Sequence, residues 1–458
     1  MFLIRSFMLK LFLIAMIIYL IPIEQYSQST ENKLQKKYSE IAKKIYEAAM
    51  SDTTAFERLA YMCDTYGPRI SGSQNLENAL DWAEKEMNTD GFDKVGTDET
   101  LVPRWVRGAE SCFLLEPRKT EMRVLGLGGT IATPKEGITA PVLVVKNYDE
   151  LSKRSAEAKG KIILYTEPFK SYGQSVQYRS TGSIEAARYG GVAAIIRPPS
   201  PMSMGNPHTG YMAYNDSFPK VPGACISAED CDMLERMQKR GQKPVIKLMI
   251  DDTTLPDSKS RNLWAEIQGS SLKDEFVAFG GHCDSWDVGT GAQDDGGACI
   301  AVWQALKIIK ELGLKPRRTM RCVWWVNEEN GLRGGKAYAE QHKNEKHLFA
   351  FEFDSGVFPP SELTFKGPDS IFETIKMMKP LLAPIDSMDV VKGGWGIDIG
   401  PLVNNGANLL SLGTRDNGKY FWYHHSYTDT PDKINLNDFR KCIAAIAISI
   451  YICADAEF

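Results

Sequence analysis

The chain opens on an apolar run, LFLIAMIIYLIPI from Leu11 to Ile23, preceded by Arg5 and Lys10. That is shorter than the ~20 apolar residues a membrane-spanning helix needs, and it has the flanks of a signal-peptide core. Ser27 and Ser29 are small residues suited to cleavage, so residues 1–29 are predicted as a signal peptide. An uncleaved anchor is the alternative. Residues 30–50 are polar and helix-favouring, readable as a surface helix or as a removable pro-segment. Between Thr53 and Asn88 two amphipathic helical stretches flank the turn-rich YGPRISGS, Tyr66 to Ser73. Short β-like segments follow around Leu101 to Val106 and Ser111 to Leu115.

From about Lys119 to Ile250 the texture changes. VLVV, KIILY, VAAIIR and VIKLMI are short apolar runs rich in β-branched residues. They alternate with SIEAARYGG, a helix with a glycine stop, and SAEDCDMLERM, which opens on a serine cap. This predicts a smaller α/β module. After Leu255-Pro256 the pattern is strand, loop, helix, repeated: FVAFGG, then ACIAVWQALKIIKEL, then MRCVWWV, a glycine-rich turn, GKAYAEQHK and LFAFEF. Strands apolar on both faces and separated by helices predict a mostly parallel sheet flanked by helices. The expected division is a catalytic α/β domain of residues 51–118 and 255–458, interrupted by an inserted α/β module of residues 119–254, read as a lid.

Composition narrows the picture. The 458 residues are 43% hydrophobic and 24% charged, ordinary for a globular protein long enough for more than one domain. A formal net charge of −4 supplies no basic excess for phosphates, so a nucleic-acid partner is not expected. No later segment is apolar enough to span a bilayer, so no stable membrane anchor is expected either. Export permits disulfides, and among nine cysteines Cys225 and Cys231 are the closely spaced candidate pair; the others read as small buried hydrophobes. No CxxC is present, and Asn215-Asp216-Ser217 is a sequon.

In open α/β sheets ligands bind beyond the carboxyl ends of the strands. Those positions carry His282 and Asp284 in GGHCDSWD, Asp294 and Asp295 in AQDDGG, Glu328 and Glu329 in NEENG, and Asp354 in FEFDSG. His424, His425 and Asp429 stand together in FWYHHSYTDTPD. So many acids at one buried edge would repel one another, and metal cations resolve the repulsion. Zinc accepts imidazole and carboxylate ligands, and two-metal hydrolytic sites share a bridging carboxylate. Two zinc ions against three carboxylates leave one positive charge for hydroxide, and a further acid must take the proton. Adjacent acids in extended chain point apart, so of Glu328 and Glu329 one can ligate while the other faces substrate. An isolated EE or HxD means little. The weight lies in the ordered set His282, Asp294, Glu328-Glu329, Asp354 and His425. His342 and His347 fall in a lysine-rich stretch that reads as an exposed helix.

GGHCDSWDVGTGAQDDGG, WWVNEENGLRGG, FEFDSG and FWYHHSYTDT resemble the co-catalytic zinc exopeptidases, in particular the branch with an inserted protease-associated-type domain. The likeness runs along essentially the whole mature chain. It implies the zinc-exopeptidase fold and two zinc ions, with His282 and Asp354 on the first, Glu329 and His425 on the second, Asp294 bridging, and Glu328 as proton acceptor. It also implies hydrolysis of unblocked dipeptides or short peptides, a carboxypeptidase or dipeptidase activity. Asp284 is expected to orient His282 from behind, Asp295 to cap the following helix, and Asp398 in GGWGIDIG to belong to a substrate-side loop. Trp395 in that loop departs from the family pattern. His424 is expected to pack beside its neighbour or touch substrate. Compartment beyond the secretory route stays open, extracellular or lysosomal, as does a homodimer. The rival readings are an aminopeptidase of the same family, a single-zinc glutaminyl cyclase, and a peptidase-derived binding protein.

Overall fold

The computed structural model describes residues 33–458. The signal-peptide and cleavage readings lie on residues 1–32, outside the described residues. Among the described residues no helix is long and apolar enough to cross a membrane. The first helix, 33–50, turns Tyr38, Ala42, Ile45 and Ala49 into the main core, a spacing of three and four that puts them on one face. Its Tyr38 hydroxyl donates to Asp455 at 2.8 Å, tying it to the last helix, Leu436–Asp455. Helices Thr54–Tyr66 and Gln74–Thr89 follow, the second capped by Ser73 accepting from the Leu76 amide.

The larger unit is built on an eight-stranded sheet. Its centre is parallel: strand Leu272–His282 lies between Arg318–Trp325 and Lys346–Glu352, and Asn408–Thr414 continues the parallel run. Alternate residues feed two layers. Val277 and Phe279 face the helices Gly297–Glu311 and Leu436–Asp455, while Ala278 and Ala350 face Tyr338, Ile399 and Leu402. Both faces are thus covered by helices, as the doubly apolar strands require. Antiparallel pairs border this run, and on one side a parallel edge strand, Asp389–Lys392, follows. Lys94–Val106 pairs with Thr253–Ile267 along a long arm, and Pro360–Lys366 runs against Asn408–Thr414.

That arm leads into a second eight-stranded sheet, whose two faces carry separate apolar layers under helix Tyr172–Arg188 and helix Ala228–Lys239. Strand Glu110–Glu116 pairs with Val245–Ile250 in this second sheet. The sequence boundary at 118 is therefore too late, because alternation alone does not say which sheet a strand joins. The chain passes between the units at 107–109 and 251–252. Ile70, Trp105, Leu125, Trp286 and Val288 form a small apolar cluster where the units meet.

All nine cysteines are free and buried, so Cys225 and Cys231 are not bridged. Cys225 lies on strand Gly223–Ile226 and Cys231 inside helix Ala228–Lys239, each packed as a small hydrophobe. Asn215 of the sequon is exposed, its side chain accepting from the Ser217 amide at 2.9 Å.

Candidate active site

Parallel registration brings the chemistry to one edge. His282 ends its strand opposite Trp325, and Glu352 stands opposite Gly280, so the loops after three adjacent strands leave the sheet side by side. The loop after His282 closes in a π-type turn, Ala292–Gly296, the kind of irregular helical turn that recurs at functional sites. Two groups hold it. Arg69, fully buried, donates to the carbonyls of Cys283, Thr290 and Gly291 at 3.0, 2.6 and 2.9 Å. The Asp429 carboxylate accepts from the Gln293 and Asp294 amides at 2.6 and 3.1 Å.

Asp294 then sits between two imidazoles. Its Oδ1 is 3.2 Å from His282 Nε2 and its Oδ2 is 3.2 Å from His425 Nε2. On the His282 side, Asp354 Oδ1 lies 3.9 Å from the same Nε2. On the His425 side, Glu329 Oε2 lies 2.9 Å from Nε2. His424 stacks on His425 with ring centroids 3.5 Å apart, and its own Nε2 is 3.6 Å from Asp294 Oδ2. The structure therefore brings His282, Asp294, Glu329, Asp354 and His425 together, with Glu328 and His424 beside them on the cavity wall.

Glu328 and Glu329 occupy a turn rather than the extended pair expected from sequence. Asn327, buried at φ 67°, makes the difference. Asparagine tolerates the left-handed region better than most residues, and there it swings the chain off the end of strand Arg318–Trp325.

Three acids behind this layer act on the backbone. The His282 ring meets the main-chain carbonyl of Asp284, 3.0 Å from Nδ1, while the Asp284 carboxylate is 3.8 Å from that nitrogen. That carboxylate instead accepts from the Glu328 amide at 3.1 Å and the Ser71 hydroxyl at 2.9 Å. Asp284 thus orients His282 through its carbonyl, and its side chain serves Glu328. Asp295 does not cap the next helix, which has no side-chain cap. It accepts from the His282 amide at 3.1 Å, an approach open only because residue 281 is glycine: a Cβ there would stand 2.3 Å from Asp295 Oδ2. Glu352 accepts from the Ile397, Asp398 and Ile399 amides, each at 3.0 Å, and so anchors the 395–399 loop.

That loop lies on the cavity side, but Asp398 itself turns away from it. Its side chain is buried beside Glu352, with neither oxygen hydrogen-bonded, while Trp395 and Ile397 face the cavity. His342 and His347 are also not exposed. His347 lies on strand Lys346–Glu352 at 1% exposure, and His342 is 3.1 Å from Asp98. The lysine-rich surface around them masked a packed interior contact.

The electrostatics test whether a metal fits. Burial drives Glu328 and Asp354 well above the ordinary carboxylate range; Glu329 joins Asp398 and Asp284 in raising the first, and Asp294 and Glu328 add to the second. Asp294 is the exception: burial would raise it, and His282, His425 and His424 instead hold it well below the usual value. His282, which burial alone would lower, is held well above its usual value by Asp294, Asp295, Glu328 and Asp354. His282 Nε2, Asp294 Oδ2 and Glu329 Oε1 are buried without a hydrogen-bond partner. Such orphaned atoms are costly in a protein interior. They belong to overlapping groups, His282-Asp294-Glu329, Asp294-His424-His425 and His282-Asp295-Asp354, whose ligand atoms lie within 4.8 Å of one another. Nitrogen and carboxylate oxygen in this arrangement fit zinc.

The site opens on a cavity of about 560 Å³, within the range of small-ligand pockets. The second unit supplies part of its lining, Tyr172, Val176 and Arg179 from helix Tyr172–Arg188. Tyr172 stacks on Phe421 across the two units at 4.8 Å. Arg179, Glu352 and Arg69 escaped the sequence reading. For Glu352 a signal existed: it is an acid at the very end of an apolar strand, Lys346–Glu352, two residues before Asp354. A lone arginine inside SVQYRSTGS carries none.

A model of peptidase family M28 matches residues 262–450. Carboxypeptidase Q of Mus musculus is 42% identical over 439 residues, covering 94% of this chain and 93% of its own length. The crystal structure of a peptidase M28 precursor from Shewanella amazonensis superposes with a TM-score of 0.88 at 33% identity, covering 93% of this chain and 98% of that one. The zinc aminopeptidase BSAP of Bacillus subtilis shares the fold at a TM-score of 0.65 and 19% identity, covering 88% and 94%.

Proposed function

The chain belongs to peptidase family M28, and on that premise we propose that it is a zinc-dependent exopeptidase of the carboxypeptidase Q type, hydrolysing dipeptides or short peptides. The observation that carries the reading is Asp294, whose two oxygens each lie 3.2 Å from a different imidazole, His282 on one side and His425 on the other. In this reading His282 and Asp354 would hold one zinc and Glu329 and His425 the other, with Asp294 available to both. Zinc in such a site supplies Lewis acidity toward a carbonyl oxygen and lowers the pKa of water.

The remaining work falls to this chain. Glu328 stands on the cavity wall, its amide held by Asp284 and its proton affinity raised by burial and by Glu329. A carboxylate so placed takes the proton of the attacking water on its Oε and returns it to the nitrogen of the leaving amine. The Trp395 and Ile397 rim gives apolar surface to a substrate side chain. Tyr172, Val176 and Arg179 support reading the second unit as a wall that restricts substrate length. The apolar run Leu11–Ile23 supports entry to the secretory route.

Metal analysis combined with a panel of dipeptides with free and blocked termini tests the reading. It expects two zinc ions per chain and turnover of free dipeptides. A single zinc with cyclisation of amino-terminal glutamine would favour the cyclase reading. Metal-free protein that binds but does not cleave would favour the binding-protein reading, and cleavage that ignores a blocked carboxyl end would favour an aminopeptidase.

A further inference from the structure

Glu362 lies on strand Pro360–Lys366, next to the edge strand of the larger unit's sheet, and lines the cavity with Thr364, Trp395, Ser411 and Gly413. Leu363 and Phe365 turn into the main core, so Glu362 and Thr364 face the other way, toward the cavity. The other acids there are occupied. Asp294, Glu328, Glu329 and Asp354 form the site, and Asp416 accepts from the Tyr420 amide at 3.1 Å. Asp389, beside Glu362 in register, is paired with Lys379. Glu362 is half-buried and, among the described residues, takes part in no ion pair and no hydrogen bond. Its bed is a glycine. Gly413 stands opposite it in strand Asn408–Thr414, where a Cβ would meet Glu362 Cγ at 2.7 Å and Oε1 at 3.1 Å. The side chain therefore lies over Gly413, leaning toward the site.

Distance decides which cation this carboxylate can meet. Strand Asn408–Thr414 separates Pro360–Lys366 from Lys346–Glu352, the strand that delivers Asp354. Ser411 pairs with Glu352, and the same register continued brings Gly413 level with Asp354. At ~4.8 Å per strand, the Glu362 backbone is roughly 10 Å from that of Asp354. The terminal nitrogen of a dipeptide lies only two bonds, about 2.5 Å, from the scissile carbonyl carbon, and so stays beside the metal ligands. Lysine and arginine carry their charge on an aliphatic stem and can span the gap. The route is lined for such a stem. Trp395 and Ile397 stand at the rim with 52% and 42% of their surface exposed. The Ser411 hydroxyl, 2.6 Å from that of Thr364, accepts from the Trp395 amide at 3.3 Å and fixes the loop beside Glu362. An indole face attracts a cation and its apolar stem alike.

We propose that Glu362 is a specificity-determining residue that selects substrates with a cationic side chain, lysine or arginine, whose stem lies along Trp395. The inference rests on the peptidase reading and names a substrate class for it.

The test uses the full metal-loaded chain and an alanyl-alanine series in which lysine, norleucine or glutamate replaces alanine at each position in turn. Norleucine keeps the stem and lacks the charge. At one position the wild type is expected to favour lysine over norleucine by roughly 10- to 100-fold in kcat/KM, the strength of a hydrogen bond to a charged group. E362Q should abolish that preference, mainly through KM on the lysine peptide, with zinc content at the wild-type level. E362K should reverse it, so that glutamate overtakes lysine. Equal losses on the lysine and norleucine peptides with E362Q would assign Glu362 to the terminal amine or to the scaffold, and overturn the proposal. So would an E362K enzyme that still favours lysine. A wild type indifferent to lysine at both positions would overturn it while leaving the peptidase reading intact. A wild type that cleaves none of the series would sink the peptidase reading, and the proposal with it.

Discussion

The Asp284 carboxylate accepts the main-chain N–H of Glu328 at 3.1 Å, joining the loop after one strand to the turn after the next. Glu328 has no regular secondary structure to fix it, so this bond and the buried Asn327 determine where its side chain emerges. Misplacing a reacting group by an ångström is costly. Asp284→Ala should therefore lower kcat by about 10- to 100-fold while zinc content stays at the wild-type level. Loss of zinc in parallel with kcat would show that Asp284 acts on His282 after all.

Glu328 itself should be dispensable for metal and indispensable for turnover. Glu328→Gln keeps the shape and removes the proton acceptor, so kcat should fall by about 10²- to 10⁴-fold. Metal analysis of the same sample should match the wild type. Activity within a factor of a few would remove Glu328 from its role.

The position of Asp294 between His282 and His425 predicts an asymmetry among the ligands. Asp294→Ala should deplete both metals, whereas Asp354→Ala should weaken chiefly one. Metal-to-protein ratios after dialysis against a weak chelator decide it. Equal loss in both variants would argue against a shared ligand.

A group outside the site offers a pH test. Asp252 lies where the two units meet, accepting from the Gly108 amide at 2.8 Å, and burial together with Glu110 pushes its carboxyl up to about 7. An acid whose folded pKa exceeds its unfolded value, about 3.9, costs stability progressively as pH climbs between the two and by a constant amount above. Asp252→Asn retains an acceptor for Gly108 and cannot ionise. It should match the wild type near pH 4 and exceed it by about 1–2 kcal/mol at pH 8, short of the full linkage value because asparagine offers one acceptor oxygen instead of two. Thermal melts at the two pH values measure the difference; a gap that shrinks with rising pH would refute the assignment.

The parallel core was legible because its strands are apolar on both faces and are separated by helices, so Phe276 to Gly281, Met320 to Val326 and Leu348 to Phe353 announce themselves. The antiparallel arm was legible only at Leu101 to Val106. Lys94–Val106 and Thr253–Ile267 are long and half polar, with exposed faces that carry no sharp alternation. In the site, acids and histidines following apolar strands were readable because the strand end fixes their location. What Asp284 and Asp295 do was not readable, since it depends on which backbone amide each carboxylate meets, at 3.1 Å in both cases, a property of the folded loops. Arg179 was invisible for a different reason: its meaning arises only when a helix of one sheet is laid over the strand ends of another.

The chain crosses between the two units only at 107–109 and 251–252, yet Tyr172, Val176 and Arg179 reach across to line the cavity. On the proposed reading, the catalytic residues and one wall of the substrate cavity are therefore encoded in separable stretches of the gene. Drift within residues 110–250 can reshape that wall while His282, Asp294, Glu328, Glu329 and Asp354 lie outside the stretch; His425, held by Arg179 and Thr209, is the one of the set tied to it. Diversification of diet without reinvention of chemistry is the evolutionary freedom this architecture leaves open.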